Sequence, residues 1–296
     1  MWSRSTALAT GRVGRSEHHH VTNMTSLDYP IPAKYLQINY LEFVGSQVAN
    51  TKDVLISQTI CGDYFSGIFA PHKLYKDIVL PKPCWALKKT HEEFIKFVAE
   101  MKTELGLHVV SLAVDDKLGF GVFCHKEALG LPVSQEIVWS EEDDEAALKD
   151  LSGQGYSITA CGAQGARVYY VLTKGAAWYQ DRKQERFSGP WRDIKKRIAE
   201  QATAGQIITS ICYSTGRSEY VLVTTQSEAK QCFRWRWGAA GKGAKDDREW
   251  ENSWHEKGRH PTILFKDPTD MKVFEVITED ENRTSFKTKL NYPIKK

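Results

Sequence analysis

No CxxC pair occurs among the six cysteines, and none of His108, His125, His255 and His260 shares a short ligand spacing with a cysteine or an acid. Cys61, Cys84, Cys124, Cys161, Cys212 and Cys232 are scattered, several of them inside apolar, strand-like runs. That distribution argues against a disulfide framework and for reduced, buried thiols in an intracellular, cytoplasmic protein. His108, His125, His255 and His260 are equally dispersed, so no metal site or cofactor is expected. No stretch approaches the roughly 18 consecutive apolar residues of a membrane-spanning helix. A strong charge of one sign is missing too: a formal net charge of +3 is too small to imply a nucleic-acid or membrane partner by itself. What remains is an ordinary globular composition, 41% hydrophobic and 26% charged, in a chain able to bury one large core or two to three small ones.

The first residues, MWSRSTALATGRVGRSEHHH, carry Arg4, Arg12 and Arg15 and no acid before Glu17. An Arg- and Ser-rich, acid-poor start fits a mitochondrial leader, the alternative to a cytoplasmic location. Gly11 and Gly14 interrupt any amphipathic helix there, and the plainer reading of residues 1–34 is a disordered tail. Folded structure is then expected from near Tyr35.

The chain aligns on four glycines, Gly106, Gly155, Gly205 and Gly258, spaced by 49, 50 and 53 residues. A period of this size signals a repeat architecture. Each glycine ends a helix-like segment. In HEEFIKFVAEMKTELG, Phe94, Ile95, Val98, Met101 and Leu105 recur at helical intervals; in PWRDIKKRIAEQATAG, Trp191, Ile194, Ile198 and Ala202 share a face. SEEDDEAALKDLSGQG opens on a serine and acids, and AKDDREWENSWHEKG carries Trp250 and Trp254. Two apolar runs follow each glycine, such as SITAC with VYYVL and IITSIC with YVLV, as a hairpin requires. A third strand-like segment lies further on: VSQEIVW, QDRKQERF, KQCFRWRW and RTSFKTKL. In CFRWRW, Phe233, Trp235 and Trp237 point one way and Arg234 and Arg236 the other.

The expected fold is an α+β repeat protein of four to five units, each one helix plus a three-stranded antiparallel meander. The units are placed at 90–139, 140–189, 190–243 and 244–296. A divergent first copy at 35–89 is suggested by DVLISQTICGDYFSGIFAP, which matches LHVVSLAVDDKLGFGVFCH at an offset of 54 and pairs Ser57 with Ser111 and Phe69 with Phe123. Since such a unit cannot bury its apolar surface alone, neighbours must pack. A closed, propeller-like ring of about five blades is the favoured arrangement. Two pseudo-symmetric α/β sandwich domains are the alternative.

Trp191 with GQIITS, and GYSITA with YYVLTKG, resemble the repeat domain of unknown function found C-terminal to plant casein-kinase-I-like protein kinases. There a Trp-containing helix leads into a similar strand, and a second strand follows after a short turn. The resemblance spans roughly residues 90 to 280 and rests on short structural motifs. It implies a non-catalytic interaction module and supplies no site residues to carry over. The kinase part is missing: there is no HRD-type loop, no DFG and no VAIK-type lysine.

The remaining motifs argue the same way. GFGVF (119–123) lacks the third glycine and the lysine of a phosphate-covering loop, and GAAGKGAK (238–245) departs from the P-loop spacing. The acids from Glu141 to Glu145 read as a solvated helix start, and no pair of carboxylates stands out as acid and base. No catalytic residue is assigned. One region combines cations with aromatics: Arg182, Lys183, Arg186, Lys195, Lys196, Arg197, Arg234 and Arg236, with Trp235 and Trp237. Such a face would suit phosphate contact and base stacking. The function expected is therefore a non-catalytic scaffold for protein–protein interaction or self-assembly. The alternatives are a binder of nucleic acid or anionic ligands through residues 182–248, and an enzyme whose site lies at the centre, built from equivalent strand ends of several units.

Overall fold

A computed structural model describes residues 25–30, 53–61, 64–71, 84–125, 134–142, 145–175, 182–237, 259–269 and 272–279. Its strands form five separate three-stranded antiparallel sheets. The first holds β1 (Thr25–Pro30), β2 (Asp53–Cys61) and β3 (Tyr64–Pro71). The second holds β4 (Cys84–Lys88), β5 (His108–Asp115) and β6 (Gly119–His125), with helix α1 (His91–Leu105) between β4 and β5. The third holds β7 (Ser134–Ser140), β8 (Tyr156–Gln164) and β9 (Arg167–Lys174), with α2 (Glu145–Gly153) after β7. The fourth holds β10 (Gln184–Gly189), β11 (Gln206–Ser214) and β12 (Glu219–Gln226), with α3 (Trp191–Thr203) after β10. The fifth holds β13 (Lys230–Trp237), β14 (Arg259–Lys266) and β15 (Lys272–Glu279).

This overturns the expected helix-plus-meander unit and its closure. In every sheet the last strand lies in the middle, between the first and the second. The segment read as closing one meander bonds instead to the hairpin that follows it. Gln135 on β7 faces Thr173 on β9, Gln184 on β10 faces Thr225 on β12, and Gln231 on β13 faces Thr278 on β15. Among the described residues the strands form small three-stranded sheets, with neither a closed propeller-like ring nor a pair of merged α/β sandwiches, and they far outweigh the three described helices. The physical reason is that alternation marks a segment as a strand without naming its hydrogen-bonding neighbour. β1 lies ahead of Tyr35, and the helix-like segment at 244–258, the GAAGKGAK motif at 238–245 and the proposed leader lie outside the described residues.

Each hairpin carries a register shift at the same place, between Leu55 and Ser57, Val109 and Ser111, Ile158 and Ala160, Ile208 and Ser210, and Pro261 and Ile263. One extra residue on the second strand bends it and raises its twist. Ser57 and Ser111 thus occupy equivalent positions. Ser57 faces Ile68, however, while Ser111 faces Phe123, so Ile68 rather than Phe69 is the counterpart of Phe123.

Local signals set the helices. Thr90 caps α1, accepting from the Glu93 N–H at 3.2 Å while the Glu93 carboxylate returns to the Lys89 N–H at 2.9 Å. Gly106, at φ 63°, ends it in a left-handed cap. Phe94 and Val98 are buried on α1, and Ile194, Ile198 and Gln201 on α3, whereas Leu105 and Ala202 face solvent. Each helix covers its own sheet and the adjoining face of the next. Phe94 stacks on Phe120 of its own unit at 4.7 Å and meets Tyr169 of the following one edge-on at 5.8 Å. Ile194 and Ile198 likewise share a core with Phe274 and Val276 of the fifth sheet. A unit's core is completed by its neighbour.

The second strands carry the closest contacts between sheets. β2 packs on β5, β5 on β8 and β8 on β11, and β14 touches both β11 and β2. Gly162 allows the approach of β8 to β5, since a Cβ there would stand 2.3 Å from Val114 Cγ2.

Candidate functional site

Three glutamines do the same work at three sheet boundaries. Gln135 accepts from the Val109 N–H at 2.7 Å and donates to the Val109 carbonyl at 2.9 Å and to the Thr173 hydroxyl at 3.0 Å. Gln184 repeats this on Ile158 and Thr225, and Gln231 on Ile208 and Thr278, at the same distances. The residue held is always the one before the bulge. The bulged threonines continue the chain: Thr159, Thr209 and Thr262 each lie 2.9 Å from that second threonine. Each also donates to a backbone carbonyl, of Val171, Val223 and Val276. A hydroxyl has one proton, so Thr173 donates to Thr159 and the chain runs from amide to hydroxyl to hydroxyl to carbonyl.

The turns at one end of the second strands are tied just as closely. Asp116 accepts from the Gly165 N–H and the Thr215 hydroxyl, both at 2.6 Å, and so joins the β5–β6, β8–β9 and β11–β12 turns. Arg217 donates through Nε to the Ala166 carbonyl at 2.8 Å and through Nη2 to the Ser140 and Glu142 carbonyls.

Between these turns and the bulges, β2, β5, β8, β11 and β14 line a partly open cavity of about 70 Å³. Its wall includes Asp115, Asp116, Lys266, Thr59, Tyr213, Thr215, Cys161 and Cys212. Lys266 is only 6% exposed, and its backbone N–H donates to the Thr59 hydroxyl at 2.9 Å. The Cys212 thiol is not primed for attack. It is held well above the ordinary range by its hydrogen bond to Cys161 and by burial, and the Ser210 hydroxyl donates to Cys161 Sγ at 3.0 Å. Burial likewise pushes the Cys124 thiol far up. Nearby, the Tyr220 hydroxyl donates to Asp267, which also accepts from the Thr269 N–H at 2.8 Å. Among the described residues, no group of three or more His, Cys, Asp or Glu side chains is placed to hold a metal.

The basic residues singled out in the sequence spread over two sheets and largely meet partners of their own. Arg182 donates to the Gln226 carbonyl at 2.9 Å, and Lys183 pairs with Glu185 at 2.5 Å. Arg186 bonds the Tyr170 hydroxyl at 3.0 Å. Arg197 and Lys196 both reach Glu200, at 3.0 and 3.8 Å, and Arg197 also lies over the Phe187 ring; Lys195 is exposed on α3. Arg234, Trp235, Arg236 and Trp237 sit on β13 opposite Glu275, Phe274, Val273 and Lys272; their side chains lie outside the described residues.

Two large apolar side chains stand exposed on strands at the outer sheet edges: Trp139 on β7, 41% exposed, and Phe233 on β13, 38% exposed. Trp139 lies against His91 at the start of α1, ring centroids 4.6 Å apart. Sequence reasoning missed both this edge and the glutamines. The signal for the latter was present, since Gln135, Gln184 and Gln231 recur at nearly the glycine period.

Comparison with family models, with curated proteins and with solved structures found no match. No helix among the described residues is long and apolar enough to cross a membrane.

Proposed function

We propose that the chain is a non-catalytic repeat scaffold that binds a protein partner, or further copies of itself, through the outer edges of its sheets. The observation that carries this reading is the placement of Trp139 and Phe233, exposed and apolar, on two of these edge strands. Among the described residues, no strand bonds to the outer side of β4, β7, β10 or β13. An open edge offers backbone donors and acceptors to an added strand, and an adjacent aromatic supplies an anchor. Interior chemistry supports the same reading: the glutamines, Asp116 and Arg217 are spent on holding sheets together, and the Cys212 thiol is held well above its ordinary range. The resemblance to the domain appended to plant kinases points the same way, toward an interaction module. On this reading the protein works in the cytoplasm, where thiols stay reduced.

Sedimentation across a concentration series, together with co-purification from the native cell, tests this for the wild type and a Trp139→Ser, Phe233→Ser double variant. Association that the wild type shows and the variant loses supports the edge. Equal association by both removes it. Affinity for RNA that falls steeply with added salt would instead give the function to the basic residues of 182–248.

A further inference from the structure

We propose that Cys161 and Cys212 form an oxidation-sensitive pair, in which hydrogen peroxide entering between the second strands converts the two thiols to a disulfide. The link would tie the third sheet to the fourth. It lies inside the protein, away from the sheet edges, and does not rest on the scaffold reading.

Equivalent positions in neighbouring sheets bring the two residues together. Counted from the bulge, Cys161 stands two residues on in β8 and Cys212 three residues on in β11. The same positions one sheet earlier are Leu112 in β5 and Gly162 in β8. A Cβ at Gly162 would come within 3.6 Å of the Leu112 side chain. Cys212 supplies a side chain of that kind at the next boundary, where β8 packs on β11, and its neighbour is Cys161. Both cysteines belong to one buried cluster, and their thiols are hydrogen-bonded to each other.

Ser210 sets the order of reaction. Its hydroxyl receives the Cys161 N–H at 2.9 Å and donates its single proton to Cys161 Sγ at 3.0 Å. The Cys161 sulfur is thus the acceptor of the pair. Cys212 is the thiol that keeps its proton, so first attack falls to Cys161.

Size selects the oxidant. Both residues border the partly open cavity of about 70 Å³, and a water needs only about 10–15 Å³. Hydrogen peroxide, with two heavy atoms, fits; glutathione disulfide does not. The Cys161 sulfur attacks one peroxide oxygen, the O–O bond breaks, and the leaving hydroxide takes the Cys161 proton as water. The Cys212 sulfur then attacks the sulfenic sulfur, the S–O bond breaks, and the hydroxyl leaves with the Cys212 proton as a second water. Two thiols and one peroxide give one disulfide and two waters. A reversible link of this sort is the form that disulfides take where thiols are otherwise kept reduced.

Non-reducing peptide mapping of the full chain, after brief treatment with hydrogen peroxide and blocking of the remaining thiols, tests the pair. A peptide joining Cys161 to Cys212, released by dithiothreitol, is the expected product. In Cys212→Ser the reaction should stop at a Cys161 sulfenic acid, captured by dimedone. Should that variant not fold, the wild-type map decides alone. No such link while the circular dichroism stays native overturns the proposal, as does a Cys84–Cys124 link formed in its place. Equal oxidation by glutathione disulfide overturns the size argument and with it the assignment to peroxide. The Trp139→Ser, Phe233→Ser variant should form the disulfide at the wild-type rate, so failure of the edge reading and failure of the thiol pair are separately visible.

Discussion

Gln184 holds Ile158 by both polar groups of one residue, accepting from its N–H at 2.7 Å and donating to its carbonyl at 2.9 Å, across the gap between two sheets. A side-chain amide carries the same donor and acceptor as a peptide bond, so it imitates a single residue of an added strand. β8 is the inner edge of its sheet, and its backbone groups beside the bulge face away from β9. The glutamine of the next unit satisfies them. The same solution at Val109 and Ile208 makes the glutamine a coupling between units rather than a feature of one sheet. The fifth unit has Pro261 at the equivalent position, which has no N–H to offer.

Gln135→Ala should therefore destabilise by about 2–4 kcal/mol, because it strands the buried N–H and carbonyl of Val109 together. Gln135→Glu should cost a comparable amount despite equal size, since a carboxylate serves the N–H and repels the carbonyl. Urea midpoints of the two variants check this. A Glu variant as stable as wild type would show that shape alone matters at this position.

Two glycines separate backbone freedom from space. Gly106 has φ 63° with nothing near its missing Cβ, whereas a Cβ on Gly216 would lie 2.4 Å from the Ala166 backbone nitrogen. Gly106→Ala should cost only about 1 kcal/mol, the strain of the left-handed conformation. Gly216→Ala should cost more, about 3 kcal/mol, because the two turns must part and the Gly216 N–H bond to the Gly165 carbonyl at 3.0 Å is lost. Thermal melts of both variants give the comparison, and equal losses would contradict the packing of the turns.

The helices were legible where local chemistry determines them. Gly106 marks the end of α1 in the sequence and caps it in the structure, and of the apolar positions named, Phe94, Val98, Ile194 and Ile198 are buried while Leu105 and Ala202 are not. The topology was not, because β7, β10 and β13 bond to strands that come thirty or more residues later, as Gln135 does to Thr173. Hydrophobic alternation is blind to that choice. How open the basic residues stand was not legible for a related reason: whether Lys183 or Arg197 is open depends on Glu185 and Glu200, whose proximity is a matter of side-chain geometry. The cavity gathers residues from five strands, such as Thr59, Ala113, Ala163, Tyr213 and Lys266, that recur at the repeat period, so no single window of sequence contains it.

Thiol reactivity provides a third expectation. Cys124, Cys161 and Cys212 are buried; the Cys124 thiol is held in the protonated form by burial, and the Cys212 thiol by its bond to Cys161 and then by burial. These three should resist an aromatic disulfide reagent in the native state at pH 8 and react on denaturation. Peptide mapping after brief exposure checks this. Rapid native labelling at Cys161 or Cys212 would mean that the cavity admits large reagents and that the inner strands part readily.

Acid should loosen the second and third sheets before the carboxylates titrate. The His91 imidazole is held below its ordinary value by burial, with the Arg167 guanidinium adding to the effect and Glu92 opposing it; burial and then Lys102 lower His108. A histidine lowered in the folded state favours the unfolded chain once protonation begins. Stability is therefore full above the unfolded value of about 6.5 and declines as pH falls from there through the lowered folded value. Glu92 and Glu185 are also held low, by hydrogen bonds chiefly, and their contribution is lost only further down, below about 4.5. Urea midpoints measured at pH 7.5, 6.5 and 5.5 should fall across the lower pair of values for wild type. The decline should be shallower in His91→Phe and in His108→Asn. A wild-type midpoint that is flat over this range, or a slope that both variants keep, would show that neither imidazole is constrained to its neutral form by the fold.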